Sequence, residues 1–562
     1  MKRIFIITMS LMTLALPSMS QSAPKWTKKV KKSIFSVMAY DKDSTLLQSG
    51  TGFFVSEDGN AVCDSKVFKK AHTATAIDYK GNKYPIDLIL GADNAYGLIR
   101  FHVATKESEP VKTVDQTAVK EEKVWTLAYS ADKPSFTSAS IDSVSHIGDS
   151  VSTNCYYTLS KAPETKFYGC PVFNADGEAI AIMQPSSGEK GFALDINYIK
   201  NISIQAIGSK ADNIILNDTD IPKGLPESME ESLVYLYMKS RTASNSEYIG
   251  MLDLFISKYP NNAEGYFRHA TPMIDTYQFD KAEADLNKYY ELSEVKDKAL
   301  YNISQTILSK LIYQPEPAYD KWTFDYALEK INQAISLNPS LENKLMKAQI
   351  LMSKKDYASA YDCYDEINKS KDRSPATLYA ASVASAGRGD SIDQQIALLD
   401  SAIAIFGDPL PAEASEYVLK RGELYNKAGK YKKAVLDYNK FCYLCNNKVN
   451  DRFYYDREQI EVKAKMYQQA IDDINLAISH APNVALYHAE KSGLLLRVNM
   501  IDESIKAAEK CIEVDSSYVD AYRILGYAQL QKGDKKSAME NLKKAVEMGD
   551  TTAQQIIDKY MK

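Results

Sequence analysis

Residues 50–59 read Gly50-Thr51-Gly52-Phe53-Phe54-Val55-Ser56-Glu57-Asp58-Gly59. Three apolar residues follow two glycines and stop at an acidic Gly-Asn turn, the pattern of a short buried strand ending in a tight turn. Comparable runs flank it: Ser33 to Tyr40 upstream, then Thr73 to Tyr79, Gly97 to Val103, Lys123 to Ala128 and Ala179 to Met183 downstream. Lys80-Gly81-Asn82 and Asn174-Ala175-Asp176-Gly177 punctuate them. Many short strands with regular turns predict an all-β barrel or sandwich over residues 25–210.

Outward from there the text changes character. Ile215 to Pro226, rich in Asn, Asp and Pro, reads as a linker spanning residues 211–228. From 229 to 562 the pattern is helical and repeats itself. Small residues recur at Ala434, Ala470, Ser504 and Ala538, and upstream at Ala282, Ala327 and Ala360. A period near 34 with a small residue where two helices cross is the tetratricopeptide-repeat signature. The physical reason is that one helix pair cannot bury its apolar face alone, whereas stacked pairs share a continuous core. Glu458 stands where Gly or Ala is usual, and Pro375 to Pro411 keeps the period poorly. Seven or eight units are expected, with Thr551 to Lys562 as a polar capping helix.

Composition sets outer limits. With 25% charged and 45% hydrophobic residues, the chain is ordinary globular material, neither disordered nor collagen-like. A formal charge of −5 argues against nucleic-acid binding, and the Lys25–Lys32 cluster reads as a solvated segment. At the N-terminus, Lys2 and Arg3 precede an apolar run that Pro17 ends, with Ser18-Met19-Ser20 before Gln21. That is a secretory signal peptide over residues 1–20, so an extracytoplasmic protein is expected, periplasmic or released, with no membrane span after cleavage. Seven cysteines are few and odd in number. Cys442-x-x-Cys445 lacks any redox or zinc context, and whether Cys155 and Cys170 pair stays open. No P-loop, dinucleotide fingerprint or metal-ligand cluster occurs, so no cofactor or metal is expected.

The opening stretch resembles the first strands of trypsin-like serine proteases, most closely the periplasmic high-temperature-requirement type. In that family G-S-G-F-hydrophobic-hydrophobic-S-x-D-G leads through T-N-x-H-V to the catalytic histidine, and the likeness runs without a gap from Gly50 to Val67. Gly91-Ala92-Asp93 and Gly97-Leu98-Ile99-Arg100-Phe101 are similar to the segment bearing the catalytic aspartate. Lys166-Phe167-Tyr168-Gly169-Cys170-Pro171-Val172-Phe173-Asn174 resembles G-N-S-G-G-P-L-hydrophobic-N, which bears the nucleophile, and Gly191-Phe192-Ala193-Leu194 resembles the closing strand. The resemblance covers about residues 30–205 and implies a trypsin-like double β-barrel followed by an all-α repeat solenoid.

It also implies that the catalytic groups are gone. The general base falls at Lys66, the orienting acid at Gly97, the nucleophile at Tyr168, and the oxyanion-hole glycine at Lys166. Serine attack needs an imidazole that accepts a proton near neutrality and returns it to the leaving group. A lysine ammonium, with a reference pKa of about 10.4, is not that base. Losing triad members lowers kcat by about 10⁴–10⁶. His72, His102 and Ser186 are not expected to substitute, and a Lys66–Tyr168 pair would only fill a dead site. The expected function is non-catalytic binding of a protein or peptide on the concave face of the repeats, with Arg452, Tyr455, Gln459, Arg523, Tyr527 and Gln531 as candidates. The alternative is a serine-type endopeptidase with a non-standard or misaligned site. Against it, no serine occurs between Ser160 and Ser186.

Overall fold

A computed structural model describes residues 24–560 except 115, 130–133, 148–153, 187 and 208–209, and omits the side chains of 210–212. The expected signal peptide lies outside the described residues. The chain divides into two compact units, Met1–Ser293 and Glu294–Lys562.

After a short helix α1 (Thr27–Val30), the first unit builds one closed barrel from β1 (Ile34–Tyr40), β2 (Leu46–Phe54), β3 (Asn60–Asp64), β4 (Thr73–Ile77), β5 (Lys83–Asp93) and β6 (Leu98–Val103), in the order β1-β2-β3-β6-β5-β4. A second closed barrel uses β7 (Lys123–Tyr129), β8 (Pro134–His146), β9 (Cys155–Leu159), β10 (Pro171–Phe173), β11 (Ala179–Gln184) and β12 (Gly191–Asp195), in the order β10-β11-β12-β9-β8-β7. Closure removes the unpaired edges that an open sheet would expose. The opening stretch is a strand for the reason its pattern gives. Phe54 packs into the first barrel with Phe35, Phe68 and Phe101, while its neighbour Phe53 points the other way, toward Leu98, Leu127 and Phe173. Strands β5, β8 and β9 are not evident from composition, because they carry serines, charges and tyrosines on their half-exposed faces.

Helix α2 (Lys210–Asn217) leads to a strap that is not slack chain. Asp218 C=O accepts from Lys70 N–H at 2.7 Å, Asp220 N–H donates to Ala71 C=O at 2.8 Å, and Pro222 C=O accepts from Ile89 N–H at 2.8 Å. Lys223 turns its ammonium back onto the Thr219 and Ile221 carbonyls at 2.6 Å each, and burial pulls that amine down to about 8.

The rest of the described chain is helical. The first unit ends with α3 (Met229–Lys239), α4 (Asn245–Lys258), α5 (Ala263–Asp275) and α6 (Phe279–Leu292). The second unit contains α7 (Lys296–Tyr313), α8 (Phe324–Leu337), α9 (Leu341–Lys354), α10 (Tyr357–Asn368), α11 (Pro375–Arg388), α12 (Ile392–Ile405), α13 (Ser415–Lys427) and α14 (Tyr431–Leu444). It continues with α15 (Asp451–Lys463), α16 (Tyr467–His480), α17 (Ala485–Arg497), α18 (Ile501–Val514), α19 (Val519–Lys532), α20 (Lys535–Glu547) and α21 (Thr551–Tyr560). From α5 to α20 the helices pack as consecutive pairs, α3 touches α4 only lightly before them, and α21 follows as a single terminal helix. Eight such pairs run from α5 to α20 among the described residues, and the irregular stretches before 340 and from 375 to 411 form them too.

Ala282, Ala327, Ala360, Ala434, Ala470, Ser504 and Ala538 are all fully buried. A methyl or hydroxymethyl there lets paired helices touch. A polar link recurs beside these contacts. Arg421 grips Asp437, Arg457 grips Asp473 and His269 meets Asp285, each partner 16 residues on, at 2.5–2.8 Å.

Candidate functional site

The segments bearing the three triad-equivalent positions meet in the first unit. Asp64 ends β3 and caps the next short turn by accepting Lys66 N–H at 2.8 Å. Burial raises the Asp64 carboxyl above its ordinary range, against the opposing pull of that N–H. Ser65 N–H donates to Gly97 C=O at 2.8 Å, which ties the Lys66 segment to the loop before β6. Gly169 lies against Asp64 so closely that a Cβ would sit 2.5 Å from the Asp64 nitrogen, and its φ is +74°.

Lys66 is exposed on its 3₁₀ turn. Gly97 has φ of +64°, a conformation that suits a residue without Cβ. Tyr168 is half-buried. Its hydroxyl donates to Ser186 C=O and accepts Ser186 N–H, both at 3.3 Å, so the phenol bridges the loop before β10 and the loop after β11. The Lys66–Tyr168 hydrogen bond is not formed among the described residues. Tyr168 N–H donates to Thr165 C=O at 3.1 Å inside a 3₁₀ turn, so the amide at the nucleophile position is not free to hold an oxyanion. Lys166, where the resemblance places the oxyanion-hole glycine, pairs with Glu164 at 2.8 Å.

No imidazole among the described residues hydrogen-bonds a serine or threonine hydroxyl. His72 meets Asp220 at 3.0 Å and His102 meets Asp87 at 2.6 Å, pairs that lack a nucleophile. His146 reaches Cys155 Sγ at 3.5 Å, but Cys155 is fully buried. None of the seven cysteines forms a disulfide. Beneath the site, burial pushes Cys170 up to about 12 and Cys63 well above its ordinary value, which makes both poor nucleophiles. No group of three or more metal-ligating side chains occurs among the described residues.

In the repeats the two candidate sets differ. On α15, Arg452 is exposed, pairs with Asp456 at 2.9 Å and lies 5.2 Å over the Tyr455 ring. Tyr455 packs on Tyr487 at 5.4 Å, and Gln459 donates to Glu458 at 2.7 Å. On α19, Arg523 is taken up by Asp550 at 2.7 Å and by Asp520, while Tyr527 faces Tyr560 of α21 at 6.3 Å. Gln531 is exposed. The structure thus brings Arg452, Tyr455 and Gln459 onto one helix face and occupies Arg523 internally. Period counting misses this, because it does not show which arginines find acids in the next turn.

Comparisons with known proteins agree with this architecture. The trypsin-like peptidase domain family matches residues 50–182, and the tetratricopeptide-repeat family matches residues 519–548. The chain therefore joins a trypsin-like domain to tetratricopeptide repeats. It is 32% identical over 91 residues to small glutamine-rich tetratricopeptide repeat-containing protein 2 of Saccharomyces cerevisiae, covering 16% of this chain and 26% of that one. It is 24% identical over 306 residues to DnaJ protein P58IPK homolog B of Oryza sativa subsp. japonica, covering 53% of this chain and 58% of the relative. The chain thus spans about a quarter of one curated relative and little more than half of the other. Among solved structures, the active form of the Rv3671c protease of M. tuberculosis is 16% identical, over 33% of this chain and 87% of that one, with a TM-score of 0.28.

Proposed function

We propose that the chain is a non-catalytic, extracytoplasmic scaffold that binds protein or peptide segments, a trypsin-like fold without protease chemistry joined to a binding array. Tyr168 carries the reading. At the position where the family places its nucleophilic serine, its hydroxyl is spent on Ser186, its amide on Thr165, and no imidazole is in reach. The basic and apolar N-terminal stretch supports export. The array offers the binding surface. Tyr455 and its neighbours present aromatic area at low conformational cost, as protein-recognition surfaces do.

The trypsin-like domain itself favours a second reading, a serine endopeptidase with unusual residues. A fluorophosphonate probe and a casein digest separate the two. The scaffold reading expects the purified mature chain to stay unlabelled and the casein intact, and labelling of any residue overturns it. The binding half is tested by placing a photo-crosslinker at Tyr455 and, separately, on the exposed outer face of α14 at Leu436. A discrete adduct at Tyr455 alone supports the reading, and equal or absent adducts at both count against it.

A further inference from the structure

Two glutamates of α15 are out of place for a repeat protein. Glu458 is fully buried and Glu461 is 2% exposed. Oε1 of Glu458 and Oε2 of Glu461 are buried and accept no hydrogen bond. An ionised carboxylate left in that condition costs several kcal/mol.

The surroundings offer no rescue. Arg457, a cation of the same helix, is committed to Asp473 at 2.5 and 2.6 Å and to Asn439 at 3.0 Å. From α16, Asp473 and Asp472 face the pair with negative charge, and from α17 Glu490 does the same. Arg497 of α17 draws Glu458 toward ionisation, and Arg457 acts that way on Glu461. Tyr455 of α15 also faces Glu458, and Tyr454 of α15 and Cys442 of α14 face Arg457.

We propose that Glu458 and Glu461 form a proton-operated latch: neutral carboxyls hold α15 in the array, and their ionisation loosens it. The consequence for Arg452, Tyr455 and Gln459, which share that helix, rests on the binding reading above. Gln459 makes the connection, since it donates to Glu458 Oε2 at 2.7 Å.

The direction in pH follows from burial, the largest cause, which pushes Glu458 up to about 7 and Glu461 up to about 8 from an ordinary 4.5. Each folded-state value lies above the unfolded one, so the folded form holds more protons between them. Stability therefore falls as pH rises from about 4.5 to about 8 and levels off beyond, each proton going to solvent.

Hydrogen exchange of the full chain, corrected for intrinsic rates, tests this without any ligand, so it stands or falls separately from the binding reading. Wild type is expected to lose about tenfold or more protection over residues 451–463 between pH 5.5 and 8.5. The Glu458→Gln/Glu461→Gln variant, which keeps shape without the charge, should lose almost none. An equal loss in both overturns the latch. Should the double variant fail to fold, ¹³C-carboxyl titration of glutamate-labelled wild type decides: two resonances titrating near pH 7 and 8 support it, and all glutamates titrating near their ordinary value sink it.

Discussion

At the scale of single residues, Tyr168 and Gly97 lead us to expect that a simple repair of the triad fails. Tyr168→Ser supplies a hydroxyl but no base, and its amide stays in the 3₁₀ turn with Thr165. An aspartate at 97 must adopt a positive φ, which costs a non-glycine residue about 1 kcal/mol or more. Tyr168→Ser, alone or with Lys66→His, is therefore expected to remain unreactive to a fluorophosphonate probe within assay limits. Gly169 is the sharper structural test. Gly169→Ala puts a methyl against the Asp64 backbone in a left-handed conformation, and we expect a loss of about 1–3 kcal/mol in urea denaturation of the first transition. The assignment of 66, 97, 166 and 168 to the triad and oxyanion positions rests on the resemblance alone. The phenol–Ser186 bridge and the occupied amide were not legible in the sequence, because a loop hydrogen bond across 18 residues leaves no periodic trace.

At the scale of elements, the fully buried small residues make the array's contacts predictable. Ala470→Leu adds three carbons where α15 meets α16, and overpacking of this kind costs about 1–3 kcal/mol, readable as a lower urea midpoint for the second unit. Asp437→Asn halves the grip on Arg421 but leaves Asp400 at 2.8 Å, so a smaller loss of about 1 kcal/mol is expected in the same measurement. The 34-residue period made the small positions readable because they face another helix in every unit. The Arg–Asp and His–Asp links escaped it because their chemistry varies while their 16-residue offset does not. Glu458 stood out in the sequence as a departure. Only its burial turns that departure into a titratable element.

At the scale of the molecule, an array of this kind is held by nearest neighbours. Removing residues 551–562 uncovers Leu542 and Ala545, which α21 shields with Ala553, Ile556 and Ile557. Hydrogen exchange should accelerate in α19 and α20 after that truncation and stay unchanged in both barrels. The division into a β-rich and a helical part was readable from turn spacing and period. The strap was not: Ile215 to Pro226 has the composition of a loose connection, yet its backbone is sewn onto β5 and the turn after β3.

That stitching has a mechanical consequence. A flexible tether absorbs a pull by uncoiling, whereas this one has little to pay out between Gly224 and α3. Force applied at α3 would be felt at once by Ile89 and Ala71, so that helix and the first barrel move as one mechanical piece.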